Sequence, residues 1–501
     1  MKTSFLTRLF VTQICVSILF LVLRLMNTAS AQQVEASKYQ ASTTKSISGR
    51  VHHLNTVEAT ADSLAKAYIK AGHAPGLTIA IAHKGETVFV RGYGIADVEM
   101  GVAAGPETVY KIGSITKQFT AATIMRLVEA GKISLQDSIT QYLPAYPAQG
   151  HHITIHHLLN HTSGIKGYRA LAEENRQRFR QDLTYDEMVE LFGKQPLDFK
   201  PGEKYAYNNT AYYLLAEIIS RVTGTPWADY VERELLQPLG LTKTVYCNEA
   251  RIIPNRAEGY EFEKNKLQNA RYLSMQIGSG AGALCATAGE LVRWSYLLHT
   301  GKVVSPKALA QMTTPTVLMS GDTVGYGYGL QLDELNGHWQ VFHGGGANGF
   351  VTALAHYPDS DLSVAVLTNS GKGNPGQIVK ALAREALGVQ VHDLPLTPQA
   401  IARYAGTYTY QLKQGTRELL VFGENGQLKA QFVGGRPFRL LYQGNHAFIP
   451  SIDEDERLVF RTRNNLAESI KHQEGRWDVT IALRKPGNPD QTTSQEVKAT
   501  N

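Results

Sequence analysis

The chain reads as an α+β protein: an antiparallel β-sheet flanked by helices, with a helical subdomain, followed by a small all-β domain. Three observations carry that reading. Two strand-like runs lie early, a long helical stretch follows and strands return after it, so early and late strands are expected to pair across a helical insert. Beyond Pro395 the pattern changes to short apolar runs separated by Gly, Asn and Asp, the signature of a small barrel or sandwich. A length of 501 residues with 43% hydrophobic content is enough for two or three domains.

At the N-terminus, Lys2 and Arg8 precede the apolar run Leu9 to Leu23, and Ala29-Ser30-Ala31 has the small-residue pattern of a cleavage site. Residues 1–31 therefore read as a secretory signal peptide and the protein as exported, periplasmic or secreted. The run falls short of a full span and Arg24 interrupts it, so no stable membrane span is expected after cleavage. Cys15 lies inside the run, which argues against a lipoprotein signal. Removing Lys2, Arg8 and Arg24 lowers the net charge from +6 to +3. That excess is too small to point to nucleic acid or an acidic membrane.

Residues 32–51, rich in Ser, Thr, Gln and Ala, read as a linker, and residues 52–390 as one domain. A helix is expected over Val57 to Ala71, then a hairpin of Leu77 to Ala82 and Thr87 to Arg91 turning at His83-Lys84-Gly85. A buried helix follows Gly113. Further helices are expected over Tyr185 to Phe192, Asn209 to Thr223, Trp227 to Leu236 and Ala288 to His299. Strands return at Trp339 to Phe342, Val351 to Tyr357 and Leu362 to Leu367, and a helix over Ile378 to Leu387 closes the domain. The second domain, 398–486, carries six strand-like runs: Leu419 to Phe422, Leu428 to Val433, Phe438 to Tyr442, Ala447 to Ile449, Leu458 to Arg461 and Val479 to Leu483. The polar tail 487–501 is expected to be disordered.

The chemistry concentrates at Ser114 and Lys117. From Ile115 to Val128 only Lys117 and Arg126 are charged, and Gly131 stands where a left-handed C-terminal stop falls, the pattern of a buried helix. Ser114 in the first turn and Lys117 three residues on share a face. A serine hydroxyl attacks only when a neighbour takes its proton, and a lysine whose pKa is lowered by burial does so. The same spacing recurs at Ser42/Lys45, Ser63/Lys66 and Ser163/Lys166, but only Ser114 opens a buried helix.

Two further stretches hold candidate partners. In Phe199 to Ile219, Tyr207 and Asn209 fall at a loop-to-helix junction after the Pro201-Gly202 turn. A phenol shuttles a proton and a carboxamide orients both a lysine and a carbonyl. In FHGGGANGF, Phe342 to Phe350, three successive glycines between strands imply a close approach to the backbone. The N–H of Gly345 or Gly346, with that of Ser114, is a candidate oxyanion hole, and His343 a donor or proton carrier on the same cleft.

The ordered set Ser-x-x-Lys, Tyr-x-Asn, His-x-Gly resembles the serine β-lactamase and penicillin-binding-protein family, in its class C-like branch with esterases and D-amino-acid-specific peptidases. The flanking TVYKIGSITKQFTA, ITIHHLLNHTSGI and GAGALCATAGELVRW agree, and the resemblance covers about Val57 to Leu387. It implies a β-lactamase/transpeptidase-like fold, acylation at Ser114, general base and acid roles shared by Lys117 and Tyr207, and a substrate-orienting Asn209. His343 stands where the family's lactamases and transpeptidases carry a lysine; a largely neutral histidine fits a substrate carboxylate poorly. Residues 398–486 resemble the lipocalin-like domain often appended to such hydrolases.

The expected partner is therefore a small molecule or peptide with an ester, amide or lactam carbonyl, handled without a cofactor. The alternative is a non-catalytic penicillin-recognising binding or sensor protein. His151, His152, His156, His157 and His161 cluster in sequence, but no carboxylate or cysteine lies near them and no metal is expected. Cys247 and Cys285 are available to an oxidising compartment, while their proximity is not readable from sequence.

Overall fold

The structure, a computed structural model, describes residues 54–168, 171, 177–264, 266–412 and 415–485. The expected signal peptide, linker and tail lie outside the described residues. No helix among the described residues is long and apolar enough to cross a membrane.

The early hairpin forms as the sequence predicts. β1 (Gly76–His83) and β2 (Glu86–Asp97) are joined by Lys84 and Gly85, both at positive φ (51° and 81°), the geometry of the tight turn that matches strand twist. A two-residue β3 (Val102–Ala103) follows on the outside of β2. The later strands are β4 (Gln331–Leu335), β5 (His338–Ala347), β6 (Phe350–Tyr357) and β7 (Leu362–Thr368). Together they form one antiparallel sheet in the order β4-β5-β6-β7-β1-β2-β3. The long-range pairing expected from the strand–helix–strand order is the β1–β7 ladder, from Leu77 opposite Thr368 to His83 opposite Leu362.

Helices cover both faces, which is why β1 and β7 are almost continuously buried rather than alternating. On one face, α1 (Leu54–Lys70) and the helix Pro375–Leu387 pack over Val57, Ala61, Ile79, Ile81, Val364, Val366 and Leu382. The opposite face carries the larger core. There α2 (Thr116–Glu129), α3 (Asn209–Thr223) and α4 (Ala288–His299) bury Phe119, Tyr212, Leu215 and Trp294, and Phe119 stacks on Trp294 at 3.9 Å. The expected helix over Trp227 to Leu236 is α-helical only to Val231 and then widens to a π turn over Glu232–Leu236.

A small three-stranded sheet braces the start of α2. Leu284–Ala286 lies between Tyr110–Lys111 and Val245–Tyr246, and the Cys247–Cys285 disulfide ties two of these segments together.

The C-terminal domain is a closed barrel of eight strands, two more than the sequence reading found. The added strands are Gly406–Leu412, which closes on Asp478–Arg484, and Leu466–Glu474. A register shift opposite Arg461/Thr462 breaks the inside–outside alternation of Leu466–Glu474, so buried Ala467 and Ser469 give way to buried Ile470 and its period is unreadable. Tyr404, Tyr408, Phe448, Leu458, Phe460 and Ile470 fill the interior, which makes it a packed core.

Candidate active site

Ser114 sits in a 3₁₀ turn, Gly113–Ile115, that feeds directly into α2 at Thr116. The helix thus starts two residues later than the sequence reading placed it. Gly113 has φ +53°, and a Cβ there would meet the backbone nitrogen of Gly346 at 2.5 Å. A Cβ on Gly345 would fall inside the Ile112 carbonyl and the Thr352 hydroxyl. The glycine run therefore exists so that β5 can lie against the turn that carries Ser114. Thr352 Oγ1 donates to Ile112 O at 3.0 Å and fastens the contact.

Lys117 is fully buried, the second residue of α2. Its Nζ reaches Ser114 Oγ at 3.2 Å, Asn209 Oδ1 at 2.7 Å and Ala281 O at 2.9 Å. Tyr207, 41% exposed, lays its ring 4.7 Å from the same nitrogen. Asn209 opens α3, whose N-cap Asn208 accepts from Ala211 N at 3.1 Å. The four residues singled out at Ser-x-x-Lys and Tyr-x-Asn are therefore brought to one point. Of the other Ser-x-x-Lys pairs, Ser63 and Lys66 are exposed, Lys166 is paired with Asp198, and Ser42/Lys45 lies outside the described residues.

Ser114, Tyr207, His343 and Gly344 to Gly346 line a cavity of about 400 Å³ that continues to Phe342, Ala353 and Asn374. Strand β4 pairs with β5 only as far as Phe342, so the edge from His343 to Ala347 is left uncovered by a strand. Ala347 and Phe350 flank the two-residue turn at Asn348-Gly349, and antiparallel alternation then turns the Gly345 N–H toward β6 and the Gly346 N–H toward the open edge. Of the two glycines named from sequence, Gly346 offers its amide to the cavity.

His343 lines the cavity but is 2% exposed, and both ring nitrogens are engaged. Nδ1 faces Gly344 O at 2.7 Å; a carbonyl only accepts, so Nδ1 carries the hydrogen. Nε2 then accepts from the Tyr326 hydroxyl at 3.1 Å. Burial, reinforced by the Lys117 charge, pushes its pKa down to about 3, so the ring is neutral. The donor role expected from sequence is already taken up within the protein.

Sequence reasoning missed Tyr326 and the place of His161. His161 is buried among the rings of Tyr207, Tyr326 and Tyr212 at 4.5, 4.7 and 5.1 Å, and its Nδ1 accepts from Asn208 N at 3.1 Å. Burial, then the nearby Lys117, holds it neutral as well. His156 meets Tyr328 Oη at 2.7 Å and His157 caps its own short helix. A signal for Tyr326 existed: in Gly325-Tyr326-Gly327-Tyr328-Gly329 the alternating glycines mark tight backbone contact, and a Cβ on Gly329 would press on Lys117 O at 2.7 Å.

A sheet with a helical insert, bearing a buried lysine against a serine at a helix start, defines the β-lactamase-like serine hydrolases. The chain belongs to that family: residues 61–388 match the family described as Beta-lactamase. A penicillin-binding protein of Bacillus subtilis is 28% identical over 384 residues, covering 71% of this chain and 84% of that protein. A D-aminopeptidase of Gluconobacter oxydans is 27% identical over 339 residues, covering 67% of this chain and 63% of that enzyme, so the chain spans under two thirds of it. Among solved structures, the octameric penicillin-binding protein homologue from Pyrococcus abyssi aligns with a TM-score of 0.59 at 24% identity, over 85% of this chain and 99% of that one, a likeness of fold. A D-stereospecific amidohydrolase from Streptomyces sp. gives a TM-score of 0.57 at 26% identity, over 66% and 99%.

Proposed function

We propose that the protein is an exported hydrolase that cleaves esters or amides of D-amino-acid compounds through an acyl-enzyme on Ser114. The observation that carries this is the Lys117 nitrogen, buried and within hydrogen-bond reach of Ser114 Oγ, Asn209 Oδ1 and Ala281 O at once. Once it has given up its own proton, Lys117 gives its two remaining hydrogens to the Asn209 and Ala281 oxygens and turns its lone pair to the serine hydroxyl. The serine proton passes to Lys117 as Oγ attacks the carbonyl, and the N–H groups of Ser114 and Gly346 receive the oxyanion. Tyr207, against the lysine and open to solvent, gives a proton to the leaving amine or alcohol and takes one back from Lys117. Water then reverses the sequence and frees Ser114.

The residues that line the cavity carry no formal charge, and His343 is neutral. This supports substrates without a free carboxylate beside the scissile bond, such as D-aminoacyl amides and esters, over lactams that need a cation. The D-aminopeptidase and D-stereospecific amidohydrolase named above are in keeping with it.

The test is intact-mass spectrometry and turnover of the mature protein with D-alanine p-nitroanilide and, separately, benzylpenicillin, with Ser114→Ala alongside. Expected are Ser114-dependent release of nitroaniline and no efficient penicillin turnover; turnover that survives Ser114→Ala overturns the reading. Fractionation of cells expressing the full chain should place it outside the cytoplasm, and a cytoplasmic pool with an unprocessed N-terminus would remove the export assignment.

A further inference from the structure

The hairpin between the last two barrel strands, Leu466–Glu474 and Asp478–Arg484, does not stay in its own domain. At its tip, Arg476 N donates to Asp333 Oδ1 at 2.6 Å and Trp477 Nε1 donates to Leu332 O at 2.6 Å. The indole comes so close to Gly325 that a Cβ at that position would collide with its Cδ1 and Nε1. Leu332 N donates in turn to Gly325 O at 2.9 Å, so Trp477 grips a bonded pair of backbone segments, one of them the edge strand β4. The next pair along is Tyr326 with Gln331, and Tyr326 holds His343 Nε2 while Gln331 lines the cavity.

We propose that Trp477 of the barrel is a positioning residue for the hydrolytic site, holding the Gly325–Leu332 pair so that Tyr326 keeps His343 in one tautomer beneath the edge of β5. The proposal rests on the acyl-enzyme reading of that site. A purely structural contact between domains would sit anywhere on the shared surface; this one falls on the residue next to the single side chain that sets His343 Nε2. The other barrel contact, Asp455 with Lys380 and Arg384, lies on the helix Pro375–Leu387 and reaches no cavity residue by hydrogen bond. With His343 fixed, the Gly344 carbonyl that its Nδ1–H engages is fixed as well, and so is the run of backbone that carries the Gly346 amide.

The groups facing His343 are Lys117 from α2, Tyr207 from the loop before α3, Tyr326 from the turn before β4, and His161 behind them. Freed from Tyr326 and reached by water, His343 should titrate higher than in the wild type, toward but short of the ordinary histidine value because Lys117 still faces it. The experiment compares the full chain with Trp477→Ala, Trp477→Phe and Tyr326→Phe, measuring kcat/KM against pH, thermal midpoints, and the imidazole ¹⁵N signal of His343 identified by its loss in His343→Gln.

Expected for Trp477→Ala are a fall in kcat/KM of about tenfold, the scale of one hydrogen bond in a rate, and a new acid limb on the acid side of the ordinary histidine value. The His343 signal should titrate there while the wild type's does not. Tyr326→Phe should do the same, and the double variant should be no worse than either single one. Trp477→Phe, which keeps the ring on Gly325 but loses the bond to Leu332 O, should fall between and serves if Trp477→Ala does not fold. A lowered thermal midpoint with an unchanged pH profile and a silent His343 signal overturns the proposal. A wild type without Ser114-dependent turnover overturns the hydrolase reading instead, and the His343 signal still decides the coupling.

Discussion

Lys117 is surrounded by the oxygen of nearby Ser114 and those of the distant Asn209 and Ala281, and each is a handle on its geometry. Asn209→Leu removes one acceptor while leaving the helix cap at Asn208 in place. Steady-state assays should show a loss in kcat of about 10- to 100-fold with circular dichroism unchanged; full activity would mean Asn209 does not orient the lysine. Gly345→Ala should be worse for the fold than for chemistry, since the added methyl collides with a backbone carbonyl, and the expected result is a destabilisation of about 3 kcal/mol or no soluble protein.

Buried neutral histidines add a pH term. His299 and His356 stack at 4.0 Å between α4 and β6; burial holds His299 down to about 4 and His356 well below its usual value. The unfolded chain takes up those protons as pH falls below about 6.5, while the folded state refuses them. The stabilisation is complete above about 6.5 and is lost progressively as pH falls toward 4. Thermal midpoints measured at neutral pH and near pH 5 should differ by several degrees, the acidic one lower; a flat series would mean these rings are already protonated in the fold. At this scale Ser114, Lys117, Tyr207 and Asn209 were legible because each pair sits within three residues. Tyr326, His161 and Ala281 were not, because their meeting at the site depends on chain separations of dozens to more than a hundred residues, which no local pattern records.

Among elements, the segment Gly280–Ala286 is the brace of the turn that carries Ser114. Thr120 Oγ1 donates to Gly280 O at 2.8 Å, Leu284 N to Thr116 Oγ1 at 3.2 Å, and Ile112 N to Leu284 O at 3.0 Å. The Cys247–Cys285 disulfide closes a loop of 38 residues on this brace. Chain entropy assigns such a loop about 4 kcal/mol, so Cys247→Ser with Cys285→Ser should lower the denaturant midpoint markedly and reduce kcat as the Ala281 carbonyl loosens. Equal midpoints with and without the bridge would show that it closes nothing already unfolded. Sequence gave no access to this pairing, since the cysteines meet only through the short strands. It did hold one unread signal: Asn336-Gly337, at φ 50° and 90°, is the tight turn that makes β4 a hairpin partner of β5. The mixed polar pattern of Gln331–Leu335 hid the strand that the turn announced.

In the whole molecule, the contacts between the two domains among the described residues include the Trp477 hairpin and the Asp455 cluster. Asp455 faces Lys380 and Arg384 with about a quarter of its side chain exposed, and screening limits such pairs. Asp455→Ala should therefore cost within about 1 kcal/mol by chemical denaturation and leave kcat/KM unchanged; a large loss of activity would mean the barrel acts on the site through this contact as well. The order of domains was legible from composition alone, because a run of short alternating strands looks unlike a helical insert. Their mutual contacts were not, because they rest on single side chains at loop tips.

The β1–β7 ladder has a consequence for how the molecule is made. Leu77 waits for Thr368, so almost three hundred residues must leave the ribosome before the centre of the sheet can close. Contacts this distant in sequence slow folding, and until they form the apolar β1 edge is an open template for association. Nascent or truncated chains that stop before β7 carry Ser114, Lys117, Tyr207 and Asn209 yet lack the strand that would assemble them, so the meeting of these four residues belongs only to chains that reach β7.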